Sequence, residues 1–118
     1  SPATPVSDDP VIERGRYLVE GPGHCAACHT PRDMTGGLDL ARWMEGAPLP
    51  VGKGRVPGLT PDHLDWSEGD IAYYLETGFT PDFDSAGGEM ADVVKNTAKL
   101  TAEDRAAIAG YVKALSAP

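Results

Sequence analysis

The chain has 118 residues and carries 18 acidic against 10 basic side chains, a formal net charge of −8. That balance excludes the clustered basic surface a nucleic-acid binder requires and disfavours attachment to anionic lipid, and no apolar run approaches the ~20 residues of a membrane helix. Fourteen glycines and 11 prolines imply long loops around a modest core, so a covalent staple, metal or cofactor is expected to contribute to stability.

Residues 1–9 are rich in Pro, Ser, Thr and Asp and read as a mobile tail; residues 10–118 form one domain. The first helix is expected to open with Asp9 as N-cap and Pro10 at its first position. It then runs through Val11, Ile12, Tyr17, Leu18 and Val19 to about Glu20. Gly15 inside it costs helix stability, which a close crossing by another helix would explain.

After Gly21-Pro22-Gly23 comes His24-Cys25-Ala26-Ala27-Cys28-His29-Thr30-Pro31-Arg32, which holds both cysteines of the chain. Cys-x-x-Cys-His is the attachment signature of c-type haem. Each thiol adds to one vinyl group, and the adjacent His29 presents its ring to the iron. A structural zinc site would need four ligands, and there is no second cysteine pair. A thioredoxin-like redox pair would follow a strand, whereas the segment before Cys25 reads as helix and loop. A disulfide closing so small a loop would contribute little. Haem c is therefore the cofactor expected. Its covalent attachment places maturation on the periplasmic side of a bacterium. No basic or apolar leader is visible at Ser1-Pro2-Ala3-Thr4-Pro5, so the chain reads as mature protein with its signal peptide removed.

A second helix is announced by Ser67-Glu68-Gly69-Asp70, a capping-box pattern, with Ile71, Tyr74 and Leu75 on one face and Gly78 as its stop. Met90, Val93 and Val94 form one apolar stripe of a short helix. The last helix opens at Thr101-Ala102-Glu103-Asp104 and carries Ile108, Tyr111, Val112 and Leu115, with Gly110 expected opposite Gly15. No alternating strand is evident, so the fold class is all-α, with long loops at 30–66 and 79–90 that would wrap the haem.

An electron-transfer haem usually takes both axial ligands from the protein, so a second ligand is sought downstream of His29. His24 sits too close to Cys25 to cross the haem, and Met34 follows His29 by too few residues. Met90 lies after the Gly87-Gly88 pair and is the leading candidate, a thioether suited to a His/Met haem. Met44 and His63 stay open behind it.

The chain resembles the class I c-type cytochromes over residues 10–116, in particular the cytochrome domains that accept electrons from periplasmic dehydrogenases. The resemblance rests on Gly15-Arg16-Tyr17-Leu18-Val19, the Cys25–Arg32 segment, Leu59-Thr60-Pro61-Asp62 with Leu64-Asp65-Trp66-Ser67, Gly87-Gly88-Glu89-Met90, and Asn96-Thr97-Ala98-Lys99-Leu100-Thr101. The chain resembles cytochrome subunits of membrane-bound alcohol and gluconate dehydrogenases, and monohaem cytochromes that serve sulfite dehydrogenases. The resemblance implies a small fold with crossing N- and C-terminal helices and Met90 as distal ligand. It further implies that the carbonyl of Pro31 receives the ring N–H of His29 and that Trp66 lies near the haem propionates. Arg55, with Lys53, is a candidate to neutralise a propionate.

The function expected is periplasmic one-electron transport. A dehydrogenase would donate, with sulfite dehydrogenase favoured by the single haem, and a terminal oxidase or other cytochrome would accept. Docking is expected at a small patch around the haem edge near Cys25–Cys28. No distal acid/base pair supports the alternative of a haem enzyme, and a small-gas sensor would ordinarily carry an output domain.

Overall fold

The structure is a computed structural model that describes residues 7–49 and 51–115. The expected tail at 1–9 therefore falls mostly outside the described residues. Five α-helices account for most of the regular secondary structure: α1 Pro10–Glu20, α2 Cys25–His29, α3 Glu68–Thr77, α4 Gly88–Thr97 and α5 Ala102–Ala114.

Each long helix starts where its local chemistry dictates. Asp9 accepts the Val11 N–H at 2.8 Å, and Pro10 fills the first position, where a missing N–H costs nothing. Ser67 and Asp70 make a reciprocal capping box, with Ser67 Oγ accepting from the Asp70 backbone at 3.0 Å. Thr101 Oγ1 accepts the Asp104 N–H at 3.1 Å. Gly78 ends α3 at φ 80°, a left-handed conformation that suits glycine.

The core lies where α5 packs against α1 and α3. Leu18, Val19, Ile71, Leu75, Ile108, Ala109, Val112 and Leu115 are all buried there. Each large aliphatic among them contributes about 1.5–3 kcal/mol on burial. Gly15 makes the α1–α5 crossing possible: a Cβ on it would meet the Ala107 carbonyl carbon at 2.7 Å and Tyr111 Cβ at 2.8 Å. Its counterpart is thus the Ala107–Tyr111 groove and not Gly110. Gly110 lies about 60–100° round α5 from those two positions, where a Cβ would meet only Val11 Cγ1, at 3.9 Å.

The 30–66 segment is not a bare loop. It contains a 3₁₀ turn at Leu40–Arg42 and two strands, β1 Ala47–Pro48 and β2 Arg55–Val56, paired antiparallel with Ala47 opposite Val56 and Pro48 opposite Arg55. Strands of two residues leave no alternation to read in a sequence, which is why none was expected. One backbone bond straps this segment onto α2, Gly46 N–H to His29 O at 2.7 Å, and two tie it to itself, Asp39 N–H to Pro31 O at 2.8 Å and Leu59 N–H to Met44 O at 2.8 Å. Among the described residues no helix is long and apolar enough to cross a membrane.

Candidate haem attachment site

The site begins with one helical turn. In α2 the side chains of Cys25, Cys28 and His29 stand at i, i+3 and i+4, so all three share a face. His24, at φ 49°, bends the chain into this turn. Both cysteines are free; Cys25 is half-buried and Cys28 exposed. Burial pushes the Cys25 thiol up from its ordinary pKa, and the neighbouring Cys28 adds to the shift.

His29 is only 6% exposed, and its Nδ1 lies 2.7 Å from the backbone carbonyl oxygen of Pro57. A carbonyl can only accept, so Nδ1 carries the proton and donates it. Nε2 is left with its lone pair, the form a metal requires. Burial pulls the His29 pKa below its ordinary value, while the Pro57 carbonyl opposes that shift. The imidazole is therefore neutral and fixed in tautomer and orientation by one backbone oxygen.

That oxygen corrects the expectation for Pro31. A prolyl carbonyl does orient the ring, but it comes from Pro57; the Pro31 carbonyl instead accepts the Asp39 N–H at 2.8 Å. Pro57 reaches His29 because the strap between them is tied at several points. Thr30 Oγ1 accepts the Met44 N–H at 2.9 Å, and β2 delivers Pro57 directly after Val56. At Gly58 a Cβ would collide with Glu45 O at 2.8 Å and the His63 ring at 2.7 Å. Only the Pro57-Gly58 pair marked this turn in the sequence, and spacing gave no link to His29.

The second-ligand candidates separate clearly. Met44 has no exposed surface and fills the core beside Trp43. His63 is engaged locally: the Thr60 hydroxyl donates to Asp62, so His63 Nδ1, 2.8 Å from Thr60 Oγ1, donates to that oxygen. Met34 is fully exposed. Met90 stands half-buried in the first turn of α4. Its neighbour Glu89 brings a carboxylate oxygen to 3.9 Å from Cys28 Sγ, so the start of α4 meets the attachment turn.

The far end of α4 is held firmly. Arg105, buried on α5, donates to the carbonyls of Thr97, Ala98 and Leu100, and the Thr97 hydroxyl donates to the Leu75 carbonyl. These carbonyls at and just beyond the helix end gain a cationic donor where the helix dipole favours one. Sequence reasoning gave no role to Arg105, which lies outside the motifs, or to Glu89, which entered only as the neighbour of Met90. Trp66 is half-buried and packs edge-to-face on Tyr74, with ring centroids 5.3 Å apart. Arg55 and Lys53 are exposed; Arg55 sits on β2 two residues before Pro57.

Two free thiols, a neutral imidazole with an available Nε2 and a thioether on the approaching helix fit the donor set a covalent haem requires. Crossing terminal helices around such a turn define a small haem-bearing electron-transfer protein. The sequence model of the family described as Cytochrome c matches residues 12–116, and the chain belongs to that family, with a class I fold. The family carries electrons on covalently bound haem c and is not itself catalytic.

The chain is 62% identical over 108 residues to a protein named "Diheme cytochrome c-type" from Cereibacter sphaeroides, covering 92% of this chain and 36% of that protein. It is 40% identical over 124 residues to the gluconate 2-dehydrogenase cytochrome c subunit of Pantoea cypripedii, covering 93% of this chain and 27% of the subunit. It is 41% identical over 121 residues to the cytochrome c subunit of the quinone alcohol dehydrogenase of Gluconacetobacter polyoxogenes, covering 91% of this chain and 25% of the subunit. The chain thus spans between a quarter and about a third of the length of these relatives.

Proposed function

We propose that this chain is a periplasmic one-electron carrier that holds one haem c through Cys25 and Cys28, with His29 and Met90 as axial ligands. The observation that carries the reading is the 2.7 Å contact between His29 Nδ1 and the Pro57 carbonyl, which leaves a buried, neutral imidazole with Nε2 available. Bound there, the haem supplies an iron that alternates between ferric and ferrous states. Cys25 and Cys28 anchor it, His29 sets its proximal side, and the soft Met90 sulfur favours the ferrous form. Arg105 and Thr97 anchor the end of α4 remote from Met90, which leaves the Met90 end to settle onto the iron. Trp66 with Tyr74 forms an aromatic wall in this reading. Arg55, two residues from the oxygen that orients His29, serves a propionate.

The electron donor is a dehydrogenase and the acceptor an oxidase or another cytochrome. The names of the Pantoea and Gluconacetobacter relatives support a dehydrogenase of an alcohol or sugar acid. The narrower expectation of a sulfite dehydrogenase draws no support from them.

Optical spectra of the haem-loaded chain test the ligation. Sharp reduced α and β bands, with a far-red sulfur-to-iron band when oxidised, are expected. Met90→Leu should abolish the far-red band and admit carbon monoxide. A wild-type chain that already binds carbon monoxide, or a Met90→Leu variant that keeps the far-red band, would remove Met90 from the iron.

A further inference from the structure

The segment between α3 and α4 shows a feature built from residues outside the candidate haem donor set. Residues 78–86 form a tight hairpin. Phe79 and Ser85 are bridged, and the Ala86 N–H donates to Gly78 O at 2.7 Å. The Thr80 N–H donates to Asp84 O at 2.9 Å, and the Phe83 N–H donates to Thr80 O at 3.0 Å. At its tip Phe83 is 91% exposed and sits at φ 67°.

A bulky residue in the left-handed region is strained, and a turn alone would be made better by glycine or asparagine. The backbone thus carries strain while an aromatic ring is held out in water. Phe83 does not stand alone: Phe79 is 47% and Tyr73 54% exposed, and with Pro81 and Asp70 they line an open recess of about 380 Å³ between α3 and the hairpin.

The electrostatics of this face are one-sided. Residues 67–94 contain seven carboxylates and no lysine or arginine. Asp70 lines the recess itself, and Asp82 and Asp84 flank Phe83 on the hairpin. Rigid aromatic anchors ringed by charge of one sign form a pre-ordered protein-docking surface, and the sign selects the partner.

We propose that Tyr73, Phe79 and Phe83 dock a partner protein through a face on which arginine or lysine side chains stand among aliphatic ones. The aliphatic groups enter the recess against Phe79 and Tyr73, and the cations meet Asp70, Asp82 and Asp84. This contact adds to the patch expected around Cys25–Cys28. It rests on the electron-carrier reading only in taking the partner to be the redox protein that is served.

The test is a titration of isotope-labelled, haem-loaded chain with an alternating Arg–Leu peptide, followed by amide NMR, alongside a Glu–Leu peptide of equal length. Shifts centred on residues 70–85 with the first peptide only, weakening as salt rises, are expected. Phe83→Gly removes the ring and relieves the strain, so it should unfold no earlier than wild type yet bind at least tenfold more weakly. The proposal is overturned by undiminished binding of Phe83→Gly, or by shifts centred on Cys25–Cys28 or spread over all acidic residues. Self-association or vesicle binding that Phe83→Gly abolishes would also overturn it, assigning the face to a second copy or to lipid. So would loss of the far-red band in Phe83→Gly, which would make the ring a haem cover. Peptide binding needs no particular axial ligand, so its failure is distinct from a failure of Met90→Leu.

Discussion

Replacing Gly15 with alanine tests the central packing claim, because propensity and packing pull in opposite directions. In a helix interior alanine is favoured over glycine by about 0.5–1 kcal/mol. Against that, the new Cβ would stand inside the contact distance of the Ala107 carbonyl, 2.7 Å from its carbon and 2.8 Å from Tyr111 Cβ. Carbon atoms pack at about 3.5–4.0 Å, so α1 and α5 must part by roughly 1 Å. None of the opposing atoms lies at the end of a rotatable side chain. A gap of that width forfeits about a quarter to a half of each contact along the seam, and overpacking of this kind costs about 1–3 kcal/mol. With Leu18, Val19, Ile108 and Val112 on that seam, the upper end applies, for a net loss of about 2 kcal/mol. The midpoint of thermal unfolding should fall by roughly 8–10 °C. Gly110→Ala is the control on the same helix pair. Its Cβ meets only Val11 Cγ1 at 3.9 Å, so it should stabilise by about 0.5–1 kcal/mol. Urea titrations of the haem-loaded variants, followed by far-ultraviolet circular dichroism, decide the matter. A Gly15→Ala variant as stable as wild type, or a Gly110→Ala variant equally damaged, would refute the assigned crossing.

Tyr111 has no exposed surface; Trp43 Nε1 donates to its oxygen at 3.1 Å, and its hydroxyl donates to Glu20 at 3.0 Å. Tyr111→Phe strands the buried indole N–H and should cost about 1–3 kcal/mol in urea titrations at pH 7. Burial raises the Tyr111 pKa, so its contribution is complete below the unfolded value of about 10 and is lost as pH rises beyond it; the variant should show a weaker decline in alkali. On the acid side, hydrogen bonding to Arg14 holds Asp104 below its ordinary range. That contribution is present above the unfolded pKa of about 3.9 and is lost as pH falls through the lower folded value. Asp104→Asn should therefore lower the urea midpoint slightly at pH 7 and progressively less as pH falls below about 3.9, the effect being small because both partners are solvated. Arg105→Leu removes the donor to three carbonyls at the end of α4 and should weaken the far-red band of the haem-loaded protein before it changes the helical circular dichroism.

What could be read in the sequence was local. Asp9-Pro10, Ser67 with Asp70, and Thr101 each announce a helix start within four residues, and all three caps form as expected. The candidate attachment turn is marked by spacing along the chain itself, and the structure sets Cys25, Cys28 and His29 on one face of α2. Met90, Val93 and Val94 lie on α4, with Val94 buried. The failures were all long-range. The acceptor for His29 is 28 residues away in sequence and arrives through a strap held by backbone bonds, which carry no residue signature. The resemblance put that role on Pro31, close to His29 in the chain, and nothing in the sequence pointed to Pro57. The partner of Gly15 was misplaced by one helical position because a stripe of small residues does not report its rotation about the axis.

The two sides of the site are built with different stiffness, and the difference follows from where their hydrogen bonds go. On the proximal side, α2 is clamped by Gly46 and by the Pro57 carbonyl on His29 itself, so the imidazole has one orientation. On the distal side, α4 is fastened by Arg105 and Thr97 at the end remote from Met90. Its beginning has Gly87 as N-cap with no side-chain bond, followed by Gly88 at φ 56°. Residues there lose more conformational freedom on ordering, and no cap offsets the loss. Met90 is therefore placed by packing and, in the proposed ligation, by the iron, while His29 is oriented by the Pro57 carbonyl. A redox carrier that must hold the same ligands in both oxidation states needs one side preset and the other able to settle onto the iron, and α4 is anchored at the end that permits it.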